Sequence, residues 1–449
     1  MYYHLITLGC QMNIADSERI HSVIKKMGYI ETDNEEEANL LGILACSVRQ
    51  KAIDKVYSRV HKWNRWKNER NLITFVSGCV LPADKEKFLK QFDILFPASE
   101  AGMLPELIRD YGIVTPQAQQ AKIGIPSNEN IFSLWNLKAT YQSDFEAFVP
   151  IQNGCDKFCT FCAVPYTRGR EVSRPSTDIL KEVESLIRSG YKSITLLGQN
   201  VNSYGNDREE EINFAELLRR IGEMGESSGR ECWLYYTSPH PRDMSMEVID
   251  VMANYRCIAN QVHLPMQSGD DSVLIRMNRK HNMDRYREIA SYIRKKLPEA
   301  TLFTDIIVGF SGESREQFMN TAKALEEFKF NMAYIAMYSP RPGAAAYRWE
   351  DDIDKKEKKY RLHYLSEILA KVSAEYTASL VDKTVRVLVT GRDRKAGYLS
   401  GLTEGRINVR FASSQDSLIG TFTDLKITGA SDFSVEGEMA GLQVSSVAF

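Results

Sequence analysis

Along the first 112 residues, short apolar runs alternate with stretches in which apolar positions recur at helical spacing. The apolar runs have the length of buried strands and lie at 4–8, 40–44 and 72–76. Helical stretches begin near Asp16, Ser47 and Asp84, and the first two are residue types that cap helix N-termini. Strands that alternate with helices predict a parallel α/β domain over residues 1–112.

The alternation is lost between residues 113 and 145 and then returns in a longer form. Several Pro, Gly and Asn residues in that segment are typical of a linker. Six strand candidates follow, at 148–152, 193–198, 232–236, 261–265, 301–309 and 332–338. Five helix candidates separate them, at 177–189, 212–224, 245–254, 283–297 and 314–328. Six parallel strands at this spacing predict a partial (βα)6 barrel over residues 146–376 rather than a closed eight-stranded barrel.

The pattern changes once more after the barrel. A charged helical stretch covers 354–377, and short strands with glycine-containing turns follow from 383 to 440. This pattern predicts a small all-β module at 377–445. We therefore expect an α/β fold class with two parallel α/β domains and a C-terminal all-β module.

Composition narrows the classes of partner. The formal net charge is −2 and the pI is about 6.4, so the chain is not a globally basic nucleic-acid binder and any such contact must use local patches. The N-terminus has no basic segment followed by an apolar core, and the apolar runs are too short to span a membrane. We expect a cytoplasmic protein without a membrane partner, whose spaced cysteines bind metal rather than form disulfides.

Three cysteines in one short segment carry the most specific signal. Cys155, Cys159 and Cys162 have the spacing C-x3-C-x2-C directly after the first barrel strand. Three thiolates can hold three irons of a [4Fe–4S] cubane and leave the fourth iron open for S-adenosylmethionine (SAM), whose sulfonium an electron can then cleave. Phe161 is placed to pack on the adenine. A zinc site or three structural thiols is the alternative, although zinc prefers four ligands.

A second group of cysteines is spread over the N-terminal domain. Cys10, Cys46 and Cys79 each follow a predicted strand within one or two residues. Because the carboxyl ends of parallel strands share one edge of a sheet, the three thiols are predicted to form a convergent metal site. The alternative is scattered buried cysteines. Cys232 and Cys257 lack a partner spacing and are interpreted as core or incidental residues.

The segment around Cys155 resembles the signature of the radical-SAM superfamily, and the six βα units resemble that superfamily's partial barrel. The resemblance implies SAM contacts at the carboxyl ends of the strands. The residues at these places, besides Phe161, are Gln199, Asn200, Ser238, Gln267, Asp305 and Val308. For any one of them, an ordinary structural turn is the alternative interpretation.

Two cysteine trios, with an α/β domain before the barrel and a β module after it, resemble the methylthiotransferase family over residues 1–440. Three strings favour the branch that modifies N6-isopentenyladenosine at position 37 of tRNA: Gly9 to Asn13, Cys46 to Arg49, and Tyr166 to Glu171 with Ser173 to Pro175. The chain departs from the family at Leu44-Ala45 and at Val80 to Pro82, where residues around a cluster would differ.

The resemblance implies a chemistry. Two [4Fe–4S] clusters and two SAM molecules per turnover are expected, with the N-terminal cluster presenting sulfur that one SAM methylates. The second SAM, cleaved at the barrel cluster, gives a radical that abstracts hydrogen from C2 of the adenine. Expected partners are a tRNA anticodon stem-loop, a sulfur source and an electron donor such as flavodoxin or ferredoxin, and the chain is expected to be a monomer.

Candidate RNA contacts lie in three places. The C-terminal module resembles the TRAM domain, an RNA-binding β fold, and carries seven basic residues between 383 and 410 against two acidic ones. From it we predict RNA contacts by Arg386, Arg392, Arg394, Arg406 and Arg410, with a solvated charged face as the alternative. The loop after the barrel cysteines adds Arg168, Arg170 and Arg174, for which pairing with Glu171 or with the SAM carboxylate is the alternative. A third patch, 58–70, holds Trp63 and Trp66, for which packing against a neighbouring domain is favoured over base stacking.

Three rival functions stay open at this stage. The nearest is another methylthiotransferase, acting on a ribosomal protein aspartate or on threonylcarbamoyl-adenosine in tRNA. A non-catalytic iron–sulfur protein that binds RNA or carries electrons is disfavoured, because electron carriers usually supply four protein ligands per cluster. A radical-SAM enzyme that only methylates or abstracts hydrogen is disfavoured by the second cysteine trio.

Overall fold

The computed structural model describes residues 1–47, 50–111 and 131–440 of the chain. Predictions on residues 48–49, 113–130 and 441–445 lie outside this part of the chain. They concern the end of the Cys46 to Arg49 string, most of the linker and the last residues of the β module. None of the described helices combines the length and apolar character that a membrane crossing requires.

The N-terminal region is a five-stranded parallel sheet with strand order β2-β1-β3-β4-β5. Its elements are β1 (Tyr2–Thr7), α1 (Gln11–Lys26), β2 (Ile30–Glu31), β3 (Leu40–Cys46), α2 (Gln50–Trp66), β4 (Ile73–Cys79), α3 (Pro82–Leu89), β5 (Ile94–Leu95), α4 (Leu104–Asp110) and α5 (Ile131–Trp135). Every residue of β3 is buried, as expected of a central parallel strand covered on both faces. The alternating pattern thus predicted the right kind of sheet.

One helix start in this region differs from the sequence prediction. Helix α1 begins five residues before Asp16, with Cys10 at its N-cap position. Asp16 is buried inside the helix because Arg168 neutralises it at 2.8 Å, so its role as a cap was predicted wrongly. For Ser47 the prediction cannot be compared in the same way, because residues 48–49, between it and the first described residue of α2, lie outside the described part of the chain.

The central region contains six parallel strands in two three-stranded sheets, β10-β9-β6 and β11-β12-β13. Its elements are β6 (Glu146–Pro150), β7 (Gln152–Asn153), α6 (Val164–Arg168), β8 (Val172–Ser173), α7 (Ser176–Arg188), β9 (Ser193–Leu197), α8 (Phe214–Ser227), β10 (Trp233–Tyr236), α9 (Met246–Asn254), β11 (Gln261–His263), α10 (Asp271–Arg276), α11 (Met283–Lys296), β12 (Thr301–Val308), α12 (Arg315–Phe328), β13 (Met332–Met337) and α13 (Lys355–Ala378). An isolated parallel bridge pairs Leu234 of β10 with Ile258, three residues before β11 begins. The strands form the predicted partial barrel, with β6 and β13 as its outer edges.

The C-terminal region is a closed β-barrel with strand order β14-β15-β16-β18-β17. Its strands are β14 (Thr384–Arg392), β15 (Tyr398–Thr403), β16 (Asn408–Ala412), β17 (Phe422–Ala430) and β18 (Ser434–Met439). It packs against the amino-terminal ends of the central strands: Thr301 donates to Gly405 O at 2.8 Å, and Trp233 contacts the Phe422 ring at a centroid distance of 4.6 Å. The small β-barrel matches the predicted all-β module, whereas the exact domain bounds stay predictions.

Candidate functional site

The three N-terminal cysteines come together where three parallel strands end. Cys46 and Cys79 are the last residues of β3 and β4 and lie opposite each other in register. Cys10 follows β1 at the start of α1. All three line one cavity of about 700 Å3, here called the thiol cavity. The sheet topology therefore produces the convergence that the sequence predicted.

Two backbone features shape this group of thiols. Gly9 has φ +113°, and a Cβ on it would lie 2.7 Å from Cys46 Cβ, so a side chain there would displace a cysteine. The Asn13 amide donates to Leu8 O at 2.6 Å and to Ala45 O at 2.8 Å. Asn13 thus ties the loop after β1 to the end of β3, which fixes the spacing between two of the thiols.

Arg168 joins the N-terminal trio to the central barrel. Its Nε lies 3.0 Å from Cys79 Sγ, and its Nη2 donates at 2.8 Å to both Asp16 Oδ2 and Asn13 Oδ1. Burial opposes its charge, but Asp16 and the Cys79 and Cys10 thiols outweigh that effect and raise the pKa of Arg168. Because α6 begins two residues after Cys162, this arginine links both cysteine trios.

The thiols of the N-terminal trio are electrostatically coupled. Burial, together with the Cys10 and Cys46 thiols, raises the pKa of Cys79 to about 12, although Arg168 opposes the shift. Such a thiol ionises when a metal bonds to its sulfur. Among the described residues, no three His, Cys, Asp or Glu side chains surround a single metal ion. A cubane makes a different demand, because each thiolate binds its own iron.

The barrel trio lies in the loop between β7 and α6. Phe158 (φ +48°) and Gly154 (φ +81°) take left-handed backbone conformations in and beside this loop. A Cβ at Gly154 would lie 2.0 Å from Arg170 O, so glycine is required there. Burial and the neighbouring Cys162 and Cys159 thiols raise the pKa of Cys155 to about 12, against an opposing hydrogen bond from the backbone at Lys157, and burial and Cys159 likewise raise the pKa of Cys162 to about 12. Arg279 Nη1 lies 3.4 Å from Cys159 Sγ and places a positive charge at this trio.

The structure brings three of the predicted SAM-contact residues to the thiol cavity. Gln199, Ser238 and Asp305 line it, and the Gln199 side chain accepts a hydrogen bond from Gly154 N beside the barrel trio. Ser238 has φ +59°, a strained conformation that turns the chain at the end of β10. Gln199 therefore contacts the loop of the barrel trio and shares a cavity with the N-terminal trio.

The other predicted SAM-contact residues have different surroundings. Asn200 is buried and donates to Ser203 and Asp243, and Gln267 forms an isolated bridge to Ile306. Val308 is fully buried in the barrel core. Phe161 packs edge-on against Phe310 at a centroid distance of 6.4 Å. None of these four lines the thiol cavity, so their predicted SAM contacts stay predictions.

Comparison with known proteins identifies the chain's relatives. The Radical SAM superfamily matches residues 149–325, and the Uncharacterized protein family UPF0004 matches residues 2–96. The tRNA-2-methylthio-N(6)-dimethylallyladenosine synthase of Thermoanaerobacter sp. (strain X514) is 39% identical over 448 residues, which cover 98% of this chain and 93% of the relative. The synthase of the same name from Geobacter metallireducens is 37% identical and covers 98% of both chains. The chain belongs to this synthase family.

Solved structures of lower identity support the fold of this synthase family member. The radical S-adenosylmethionine methyltransferase TsrM from Kitasatospora setae, with cobalamin and a [4Fe-4S] cluster bound, superposes with a TM-score of 0.58 at 12% identity. The match covers 89% of this chain and 77% of that one. At this identity the likeness concerns the fold alone.

The cavity of the synthase also contains residues that the sequence analysis missed. His263 Nε2 lies 2.8 Å from Asp305 Oδ2, and the Tyr334 ring lies 5.7 Å from the His263 ring. His263 alternates with Gln261 along β11, and both line the cavity. A search for polar residues at alternate positions of the barrel strands would have found them, because such positions face the barrel interior.

The predicted RNA contacts of the synthase fall into two groups. The side chains of Arg168 and Arg174 are only 7% and 6% exposed, because Asp16 and Glu182 neutralise them inside the protein. Because both side chains are buried, we no longer assign Arg168 and Arg174 to the RNA-binding surface. Arg170, Arg392 and Arg394 are exposed. Arg386 and Arg410 lie at the surface in ion pairs with Glu231 and Asp393.

Arg406 and Trp63 have roles that the sequence did not suggest. Arg406 points from the C-terminal barrel into the thiol cavity, with its guanidinium 4.0 Å from the Tyr235 ring centre and 3.0 Å from Thr195 Oγ1. Trp63 is fully buried in the core of its own domain, not against a neighbouring domain as predicted. Cys232 and Cys257 are buried core residues, as the sequence analysis interpreted them.

Proposed function

We propose that this chain converts N6-isopentenyladenosine at position 37 of tRNA to its 2-methylthio derivative. The observation that carries the proposal is the thiol cavity, where Cys10, Cys46 and Cys79 share one space with the strand-end residues of a radical-SAM barrel. Membership in the synthase family and nearly full-length coverage of its members support the same reaction.

The residues present fit two clusters. Each trio supplies three thiols and a nearby arginine, Arg168 at Cys79 and Arg279 at Cys159, which compensates the charge that thiolates bring. Two buried hydroxyls next to the N-terminal trio, Ser47 and Ser77, have no hydrogen-bond partner among the residues that the structure describes. Hydroxyl donors of this kind suit the sulfur atoms of a cluster. Each trio thus has the donor set for three irons of a [4Fe–4S] cubane.

When bound, the clusters and SAM supply one-electron cleavage of a sulfonium and a sulfur for transfer. The chain's own residues position the reactants. Gln199, Ser238 and Asp305 occupy the barrel side of the cavity and present polar groups to SAM, and Cys10, Cys46 and Cys79 occupy the opposing wall. The cavity volume of about 700 Å3 lies in the range of ligand pockets, so a base that has left its stack can enter.

The aromatic and charged residues of the cavity orient that base. Tyr334 is 54% exposed on the edge strand β13, where a base can stack on its ring. Asp305 fixes the His263 ring by the 2.8 Å contact to Nε2 and leaves Nδ1 for a substrate. Arg406 brings a positive charge from the C-terminal barrel to the same cavity. We assign the remaining exposed arginines of that barrel, with Arg170, to the RNA backbone.

The other partners follow from the chemistry. A sulfur source must restore the sulfur after each turnover, and a one-electron donor such as flavodoxin or ferredoxin must reduce the barrel cluster. Two SAM molecules are used per product, one as methyl donor and one as radical source. We propose that the chain acts as a monomer in the cytoplasm, where its tRNA substrate is found.

The test is a modification assay on synthetic anticodon stem-loops. Protein reconstituted anaerobically with iron and sulfide is incubated with SAM, dithionite and a stem-loop carrying isopentenyladenosine, and the products are measured by mass spectrometry. We expect a methylthio mass gain on this stem-loop and none on the matched stem-loop with threonylcarbamoyl-adenosine. A gain only on the second stem-loop, or on a ribosomal protein aspartate, would overturn the substrate assignment and leave the reaction class intact.

A further inference from the structure

A second pocket lies beside the barrel cysteines and is not used by the proposed reaction. It has a volume of about 630 Å3 and is lined by three cations, Arg242, Lys280 and Arg285, together with Ile275, Asn278 and His281. We call it the basic pocket. It shares no lining residue with the thiol cavity, and no Asp or Glu lines it.

The floor of the basic pocket is tied directly to the loop that carries the barrel cysteines. Asn278 Nδ2 donates to Lys157 O at 3.3 Å and to Phe158 O at 3.0 Å. Thr160 N donates to Met277 O at 3.0 Å. The next residue, Arg279, reaches Cys159 Sγ at 3.4 Å. Residues of this pocket and its neighbours therefore contact the loop that carries the barrel thiols.

The backbone of this floor is held in an uncommon conformation. Asn278 and Lys280 both have φ +57°, which few residues other than glycine adopt. The conformation directs the Asn278 amide to the cysteine loop, while Lys280 on the same short segment is exposed at the pocket. Strain of this kind is usually retained where it serves a function.

The charge of the pocket favours an acidic partner. Lys280 is exposed and has no carboxylate partner among the described residues. Arg242 lies 3.5 Å from Asp243, but Lys157 already pairs with that carboxylate at 2.6 Å. Arg285 has an acidic neighbour of its own, Glu288 at 2.6 Å. Burial and the nearby cations, Arg279 first among them, also lower the pKa of His240 behind the pocket.

An apolar side chain completes the surface. Ile275 lines the basic pocket and is 76% exposed, the largest exposure of any large hydrophobic residue in the described part of the chain. An exposed apolar centre within a charged rim is typical of a protein–protein interface. RNA would gain little from an isoleucine at this position.

The basic pocket lies at the middle strands of the barrel and not at its open edges. Its residues follow β10 and β11, the third and fourth of the six strands. The open edges of the barrel are β6 and β13, and Tyr334 of the thiol cavity belongs to β13. A base that enters at the open edge therefore leaves the basic pocket free for a second partner.

We infer that the basic pocket is the docking surface for an acidic one-electron carrier protein that reduces the cluster held by Cys155, Cys159 and Cys162. One electron leaves the carrier and enters the cluster, and no covalent bond or proton needs to change. The inference rests on the proposed function, because only a cluster that must be reduced requires such a partner.

The test compares two electron sources on reconstituted protein. A bacterial flavodoxin is the probe, and the variant is Arg242→Glu/Lys280→Glu, which replaces two exposed cations outside the thiol cavity. The matched control is Arg188→Glu/Lys323→Glu, which reverses two exposed cations on helices α7 and α12. Calorimetry gives the flavodoxin Kd at low and high salt, and electron paramagnetic resonance gives the rate at which reduced flavodoxin or dithionite reduces the cluster.

We expect the pocket variant to raise the flavodoxin Kd on the order of 10-fold at low salt and to slow flavodoxin-driven reduction, while the control variant does neither. Reduction and methylthio transfer driven by dithionite should be unchanged in both. Equal flavodoxin affinity in wild type and pocket variant would overturn the inference, as would a failure of wild type to bind flavodoxin. A pocket variant that instead loses affinity for the stem-loop would assign the pocket to RNA. If the wild-type protein shows no methylthio transfer with dithionite, the proposed function itself is contradicted. The binding measurement would still test the docking surface in that case.

Discussion

The two cysteine trios are built in different ways. The barrel trio comes from eight consecutive residues, whereas the N-terminal trio combines the ends of three strands that are 36 and 33 residues apart in sequence. The first is therefore set by one loop and its two left-handed positions, Gly154 and Phe158. The second depends on the register of a whole sheet, on Gly9 and on Asn13. A local site tolerates changes elsewhere, and a site made from three strands does not.

Arg168 connects the N-terminal trio with the barrel trio. It belongs to the helix after the barrel trio but binds Cys79 and Asp16 of the N-terminal region. The orientation of one trio is thereby transmitted to the other. We expect substitutions at the N-terminal trio, at the barrel trio and at this link to have three distinguishable effects.

The largest effect should come from replacing one cysteine in each trio. Cys159→Ala should abolish both SAM cleavage and methylthio transfer, because both need the barrel cluster. Cys46→Ala should lower methylthio transfer on the order of 100-fold or more and retain formation of 5′-deoxyadenosine. Chromatography of the nucleoside products measures both activities. Cys232→Ala is the control, and it should retain both; equal loss of SAM cleavage in the Cys46 and Cys159 variants would contradict the division of roles.

Removal of the link between the trios should have the next largest effect. Arg168→Met leaves the buried Asp16 carboxylate unpaired, a change that typically costs about 3–5 kcal/mol of stability. Arg170→Met, two residues away, breaks a surface pair with Asp156 and should cost at most about 1 kcal/mol. Urea unfolding of both variants gives the comparison. Similar urea midpoints for the two variants would show that the Arg168 contacts do not contribute to the stability of the protein.

The N-terminal trio also depends on the backbone conformation at Gly9. Gly9→Ala places a Cβ 2.7 Å from Cys46 Cβ at a positive φ and should reduce iron bound by the N-terminal trio. Gly28→Ala is the matched control, because its φ is also positive at +85° but nothing lies within 4 Å of the new Cβ. The control should lose only about 1–2 kcal/mol of stability and no iron. Iron analysis after reconstitution decides; equal iron in the two variants would contradict the packing argument.

The smallest predicted effect is a pH dependence of stability that comes from Glu18 in α1. Burial raises the pKa of Glu18 to about 7, and its Oε2 has no hydrogen-bond partner in the part of the chain that the structure describes. The folded protein thus binds a proton more tightly than the unfolded chain, so stability is full below the ordinary Glu pKa and falls as pH rises to about 7. Glu18→Gln should remove this loss of stability, which amounts to up to about 3 kcal/mol at pH 8. Thermal unfolding at pH 5 and pH 8 tests it; parallel changes in wild type and variant would contradict the assignment.

Much of this arrangement could be predicted from the sequence, because it depends on periodic patterns and short spacings. The alternation of strands and helices indicated both α/β regions, and cysteines at strand ends indicated one edge of a sheet. The small β-barrel followed from short strands with glycine turns. These features are local, or follow from the general geometry of parallel sheets.

The remaining features depend on contacts between distant residues. Arg168 looked like a surface arginine in a loop, and only its contacts with Cys79 and Asp16, 89 and 152 residues away in sequence, show that it is buried. The same holds for Asp16, whose type suggested a helix cap. Arg406 looked like one cation in a basic stretch, yet the packing of the C-terminal barrel directs it into the thiol cavity. No local pattern encodes such pairings.

The most direct test of the central claim is the iron content of three proteins after anaerobic reconstitution: wild type, Cys10→Ala/Cys46→Ala/Cys79→Ala, and Cys155→Ala/Cys159→Ala/Cys162→Ala. We expect about eight irons per chain in wild type and about four in each triple variant, because each trio is proposed to hold its own [4Fe–4S] cluster. Wild type with about four irons, all of them lost with the barrel trio, would contradict a second cluster at Cys10, Cys46 and Cys79.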